Sequence, residues 1–367
     1  MRYSKRRRVQ YAGIILYWIL SINLFSYISI GSIGSFISLA DLSLEDMDPV
    51  AAYWVSPFQY VESTLFGLLF SILFIWANRW LFRRWKLDRY GFGMSLLISS
   101  GVYLVGFLII VALIYMIIGN LGYYQNFDFF SLTLNPRILG LVSVVMLVLV
   151  FQIFMLNFVL KSMEIMGDYN LLRFLTGKYR VPHPEYRAFM FLDLRSSTRH
   201  AERLGALLYS EMIRDCFRDL NFLLTEYEAE VYQYVGDEVV LTWPANMAKD
   251  DQYMFAFFFA FQDVLKKRSK HYQQKYGQVP EFKAGCNTGL ITASEIGVYK
   301  RDIAFHGDVI NTASRVQGMC NSLGADLLTT EILVNETGRF TFTPMGEHHL
   351  RGKEEAIALY AVSRPTD

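Results

Sequence analysis

The sequence predicts two units of different class: an all-α membrane part with four spans, followed by an α+β domain with a split β-α-β arrangement. Three observations carry this. Hydrophobic residues make up 53% of the 367 and mean hydropathy is +0.24, too apolar for a chain lying wholly in water. The excess is concentrated in four stretches of about 20 residues, the length a bilayer core requires. Beyond residue 186 the pattern shortens to strand, helix, hairpin, helix, strand. A formal net charge of only +1 gives no global basic field, which argues against a nucleic acid polymer as the main partner.

The spans run approximately over 11–30, 58–77, 94–118 and 138–160, within a transmembrane domain of residues 1–160. The first follows MRYSKRRR, as a signal peptide might. No small-residue cleavage site follows and the apolar part is too long, so it reads as a retained anchor. Arg2, Lys5, Arg6, Arg7 and Arg8 precede the first span, and Arg79, Arg83, Arg84, Lys86 and Arg89 lie between the second and third. Positive residues stay on the cytoplasmic side, whereas the loop after the first span carries Asp41, Glu45, Asp46 and Asp48. Both termini are therefore expected in the cytoplasm, for a multi-pass protein of the cell inner membrane. Tyr53 with Trp54 and Tyr123 with Tyr124 fit an interfacial belt at the outer boundary. No ionisable run crosses the spans, which argues against a transporter or proton relay.

Residues 161–186 change to mixed composition, with Gly167, Gly177, Pro182 and Pro184, and read as a connector. Within it EIMGDYNLLRFLTGKY can form a short amphipathic helix through Leu171, Leu172 and Leu175, ending near Gly177. The segment is either a continuous helix that transmits motion or a passive tether. Cys216, Cys286 and Cys320 show neither paired nor metal-ligand spacing and read as reduced, structural thiols.

In the domain of residues 187–367, the run FMFLDLRSST is a buried strand ending at Asp193 and passing at once into a hydroxyl-rich turn. A long amphipathic helix follows over 201–227. VYQYVGDEVVLTW reads as a β-hairpin with Gly236 and Asp237 at its tip. A second helix spans 249–275, largely buried over 254–261. Strands are expected at 282–288, 290–296 and 302–306, completing a ferredoxin-like order. That order brings Asp193 beside Asp237, and two carboxylates there suit one or two Mg²⁺ ions that also hold substrate phosphates. In RDIAFHGDVINTASRVQGMC a helix begins near Asp308. It places Asn311 and Arg315, four apart, on one face, where an amide and a charged fork can offset developing phosphoryl charge.

FLDLRSST, YVGDEVVLTW and HGDVINTASRV, in this order, resemble the catalytic domain of class III nucleotidyl cyclases. The resemblance covers about residues 187–362, and the four-span part is similar in character to anchors on bacterial members. It implies that the ribose 3′-oxygen attacks the α-phosphorus of a nucleoside triphosphate, releasing pyrophosphate. It further implies that Asp193 and Asp237, with the carbonyl of Leu194, bind two Mg²⁺ or Mn²⁺ ions. Arg195, Ser196, Ser197 and Thr198 would cradle the β- and γ-phosphates, and Arg351 would add a phosphate contact. Asn311 would orient the ribose and Arg315 would stabilise the transition state, both acting on the metal site of a second copy in a head-to-tail homodimer. Two positions depart from the family. Gln233 stands where many members carry a base-reading Lys, and Ala304 stands where adenylate cyclases commonly carry Asp.

The leading expectation is therefore an adenylate cyclase acting on ATP. A guanylate cyclase acting on GTP and a catalytically silent cyclase-like receptor or scaffold are the alternatives. A diguanylate cyclase fits less well, because Gly236, Asp237 and Glu238 lack that family's doubled glycine and following aromatic.

Overall fold

The computed structural model describes residues 5–39, 58–84, 90–120, 136–166, 173–250, 252–335 and 338–364. They separate into two compact units, one of Arg7–Met166 and one containing Gly167–Asp367.

The first unit has four helices: α1 (Lys5–Leu39), α2 (Phe58–Arg84), α3 (Phe92–Asn120) and α4 (Pro136–Met166). Each is long and apolar enough to cross a membrane. Where the interior is as apolar as lipid, packing and polar contacts must hold the helices together. Trp18 of α1 packs on Phe70 of α2 at 5.2 Å between ring centroids, and Phe74 stacks on Tyr103 of α3 at 4.0 Å. Asn157 of α4 donates to Ser99 Oγ at 2.6 Å, and Tyr17 donates to the Gln152 carbonyl at 3.0 Å. Helix α4 runs past residue 160 because nothing before Gly167 breaks it. The acidic residues of the first loop, Lys86, Arg89 and the aromatic belt residues lie outside the described residues.

Of the connector, Leu171 and Leu172 also lie outside them. Residues 173–176 form one helical turn, closed at Gly177 with φ of +63°. Leu175, the described member of the expected apolar face, is 75% exposed. Tyr179 is the buried residue instead, and its carbonyl accepts from the Glu295 N–H at 2.8 Å. Arg173 grips Glu230 at 2.9 Å, and the buried Arg187 reaches the same carboxylate at 2.9 Å. This stretch is docked on the sheet rather than free.

The second unit is an α+β domain, as expected. Its elements are β1 (His183–Leu194), α5 (Ser197–Leu224), β2 (Glu230–Val235), β3 (Glu238–Pro244), α6 (Ala245–Lys249), α7 (Tyr253–Lys267), α8 (Ser269–Tyr276), β4 (Phe282–Ile296), β5 (Asp302–His306), α9 (Asp308–Gly318), β6 (Leu327–Thr330), β7 (Thr341–His348) and β8 (Ile357–Ser363). The sheet order is β2-β3-β1-β4-β6-β8-β7, with β5 pairing on β4. Only β4 and β6 run parallel.

Alternation along β1 explains why it sits at the centre. Ala188, Met190, Leu192 and Leu194 face the core formed with α5 and α7, while Phe189 and Phe191 pack with Tyr179, Ile291, Phe305 and Val309 on the opposite face. With both faces covered, the run reads as continuously apolar. Phe255, Phe257, Phe258, Phe261 and Phe282 fill the first core at 1% exposure or less.

Four expectations are corrected. The strand pair at 282–288 and 290–296 is one 15-residue strand, β4. Gly289 is not a turn: a Cβ there would lie 2.8 Å from Val309 Cγ2, so glycine permits close packing. The helix at 249–275 is two, α7 and α8, divided at Arg268, and α7 starts only after Gln252, which has φ of +51°. The helix at 201–227 spans Ser197–Leu224, with a kink at Gly205. Strand β1 begins at His183, inside the connector, and Pro184 is tolerated because only β4 pairs with β1 there.

Candidate active site

Strand β1 presents Asp193 on the α9 face, the face of Phe189 and Phe191. Its Cα partner on β3 is Glu238, directly after Asp237 at the hairpin tip. Gly236 turns that tip with φ of +62°, a conformation glycine adopts without steric cost. Asp193, Asp237 and Glu238 thus come to the same end of the sheet without closing into a three-ligand cluster. Burial raises the Asp193 carboxyl, the Lys283 ammonium opposes this, and Asp237 adds to it. Burial pushes the Glu238 carboxyl up to about 7, reinforced by Asp193 and Asp237. Burial, followed by the nearby Asp237 charge, raises the Tyr209 hydroxyl to about 12.

Asp193 Oδ2 accepts from Gln317 Nε2 of α9 at 2.9 Å and faces Lys283 Nζ of β4 at 3.4 Å. Asp237 Oδ2 is buried with no hydrogen-bond partner among the described residues. A buried acceptor in that state is costly unless something fills it. Hard oxygen donors, an orphaned carboxylate oxygen and the adjoining carbonyl of Leu194 fit Mg²⁺ or Mn²⁺. Among the described residues no three His, Cys, Asp or Glu side chains gather as a metal cluster. Magnesium tolerates that, because waters and substrate phosphates complete its octahedron.

A pH dependence follows. A carboxyl raised in the folded state favours folding below its unfolded pKa, and that contribution is lost as pH rises through the folded value. Without metal, Glu238 should therefore lower the melting temperature between about pH 4.5 and about 7. Glu238→Gln should flatten this part of the profile; an unchanged profile in a calorimetric pH series would refute the assignment.

Directly after β1, Ser196 adopts φ of +54° and α5 starts without a side-chain cap or an acidic residue in its first turn. Free N–H groups at a helix N-terminus suit an anion. Arg195 is engaged within the chain. Its N–H is taken by the Glu281 carbonyl at 2.8 Å, and its guanidinium by Asp326 at 2.6 Å and the Ala325 carbonyl at 2.8 Å.

On α9, Asn311 is exposed and lines a groove of about 310 Å³ with Gln233, Glu238, Phe305 and His306. Ala304 is not among the lining residues; it is buried beneath and pairs with Ser294. Arg315 Nη1 is buried with no partner among the described residues, and a Cβ on Gly352 would lie 3.3 Å from its Nη2. Arg351, just before that glycine, is exposed.

Close approach fixes α9. A Cβ on Gly285 of β4 would lie 2.1 Å from Gln317 N and 2.7 Å from the Ala313 carbonyl. Gly285→Ala should displace the helix, costing about 1–3 kcal/mol. Unchanged thermal stability would show that the contact is softer than this.

Sequence reasoning missed Gln317, Lys283, Glu238 and Tyr209. Two left a signal: Gln317 interrupts the buried stripe of Val309, Ala313 and Val316, and Lys283 interrupts an apolar strand.

Paired carboxylates at strand ends, an uncapped helix N-terminus and, on α9, Asn311 and Arg315 are the groups that this α+β domain presents. Residues 182–363 match the family model described as the adenylate and guanylate cyclase catalytic domain, and this part of the chain belongs to the class III nucleotidyl cyclase family. Adenylate cyclase 2 of Rhizobium meliloti (strain 1021) is 34% identical over 209 residues, covering 56% of this chain and 58% of its own length. Adenylate cyclase 1 of the same organism is 24% identical over 177 residues, covering 47% of this chain and 27% of its own length. The chain thus spans little more than half of the first relative and about a quarter of the second. Among solved structures, the adenylyl cyclase CyaB from P. aeruginosa has 20% identity and a TM-score of 0.46, covering 51% of this chain and 97% of that one.

Proposed function

We propose that the chain is a membrane-anchored adenylate cyclase that converts ATP to 3′,5′-cyclic AMP and pyrophosphate at sites shared between two head-to-tail copies. The observation that carries this reading is a complementary pair of orphans, Asp237 Oδ2 and Arg315 Nη1. A buried acceptor without a donor calls for a cation, and a buried guanidinium N–H without an acceptor calls for an anion. A nucleoside triphosphate with its metal ions brings both.

Two Mg²⁺ or Mn²⁺ ions per site, when bound, supply Lewis-acid polarisation of the phosphate and activation of the ribose hydroxyl. The chain's own groups do the rest. Asp193, Asp237 and the Leu194 carbonyl hold the positive charge in place. The N–H groups of Ser196, Ser197 and Thr198, with Arg351, hold the terminal phosphates. Asn311 of the second copy orients the ribose. Arg315 of the same copy donates to the α-phosphate oxygens as charge builds in the pentavalent transition state.

In the groove, the Gln233 amide meets the base and can both donate and accept. The relatives' names support ATP. GTP is the second reading, because the Gln233 amide in the groove can serve either base and Ala304 offers no polar group. Basic residues flanking the first span and following the second support an inner-membrane protein with both termini in the cytoplasm.

The test supplies the purified full chain with ATP or GTP and Mg²⁺ or Mn²⁺. Cyclic AMP as the main product is expected, cyclic GTP-derived product alone moves the assignment to guanylate cyclase, and no cyclic product beside a working control leaves a silent receptor or scaffold.

A further inference from the structure

The most heavily tied atom of the site is Asp193 Oδ2, addressed by both Gln317 Nε2 and Lys283 Nζ, which leaves Oδ1 for a cation. Gln317 is only 7% exposed, so its amide has little water to turn to. Its backbone is fixed too, because α9 rests directly on Gly285. A carboxylate held by a buried donor from a rigid helix keeps one rotamer, and a neutral amide does this without cancelling the charge a metal needs.

We propose that Gln317 is a positioning residue for the metal carboxylate, orienting Asp193 and tying it to the helix that carries Asn311 and Arg315. This rests on the proposed reading of the site. Under that reading Asn311 and Arg315 of one copy serve the metal site of the other, while Gln317 of the same helix serves its own. One rigid helix then belongs to both sites of the dimer. A metal ion arriving at Asp193 acts on the hydrogen bond from Gln317, and through it on the helix that completes the second site.

Mn²⁺ binding to the detergent-solubilised full chain, measured by electron paramagnetic resonance without nucleotide, tests the inference apart from activity. Gln317→Met keeps the length of the side chain and removes the donor. It should weaken Mn²⁺ binding by about 10- to 100-fold, the usual cost of losing an outer-shell partner. Gln317→Leu serves the same purpose should Met disturb folding. Val316→Ala is the packing control: it opens a cavity in the same turn, retains the amide, and should lower the melting temperature without changing Mn²⁺ affinity. Equal affinity in wild type and both Gln317 variants overturns the proposal. So does equal weakening by Val316→Ala, which makes the effect one of packing. If wild type binds Mn²⁺ no better than Asp193→Ala, the metal reading itself fails.

Discussion

Asp237→Asn should abolish cyclic nucleotide formation and at the same time make the metal-free chain more stable. The loss should be at least on the order of 100-fold, since even an outer-shell partner of a metal ligand is worth about 10- to 100-fold. The gain follows from the same atom. Asp237 Oδ2 is buried without a hydrogen-bond partner among the described residues, and the carboxylate adds to the charge that raises Asp193 and Glu238. Neutralising it relieves two like-charge contacts, and the new amide can donate to a neighbouring carboxylate. Thermal melts with and without Mg²⁺ separate the two effects. Wild type should be stabilised by the ion and Asp237→Asn should not, while starting from a higher melting temperature. A variant that loses activity but keeps its metal-dependent shift would remove Asp237 from the metal site. This is the pattern of a site whose residues are strained for function, where loss of activity and gain of stability come together.

What was legible in the sequence was whatever is encoded locally. The apolar run ending at Asp193, the Gly236 turn and the four-residue spacing of Asn311 and Arg315 each need only a short stretch of chain, and the element order alone placed the two aspartates at one end of the sheet. The four apolar helices were legible for the same reason. Long-range choices were not. Gly289 resembles a strand break until Val309 is seen packed against it, and nothing local announces that Tyr179 is buried. Lys283 and Gln317 lie far apart in sequence and meet only because β4 neighbours β1 and α9 covers both. Arg195 is the converse case. Its position promised a phosphate contact, but Asp326 and the Ala325 carbonyl, remote in sequence, engage it first. The strands β6, β7 and β8 were not foreseen: β6 has only four residues, and the mostly exposed β7 lacks a clear alternation.

Arg315→Ala should lower kcat by about 10²- to 10³-fold with a much smaller change in KM, because its contact is made as charge develops. Removing it should not destabilise the fold, since its Nη1 has no partner among the described residues to lose. The sharper result comes from mixing. If Asp237 acts on one copy and Arg315 on the other, a dimer of one Asp237→Ala chain and one Arg315→Ala chain carries both lesions in one site and none in the other. Random pairing of equal amounts makes half the dimers mixed, each with one working site of two, so about a quarter of wild-type activity should return. Each variant alone should remain inactive. If both residues instead served a site within one chain, every chain in the mixture would carry a lesion and no activity would return. Cyclic nucleotide production by membranes containing both variants, against membranes containing either, therefore decides whether the orphaned carboxylate and the orphaned guanidinium are satisfied across two chains or within one.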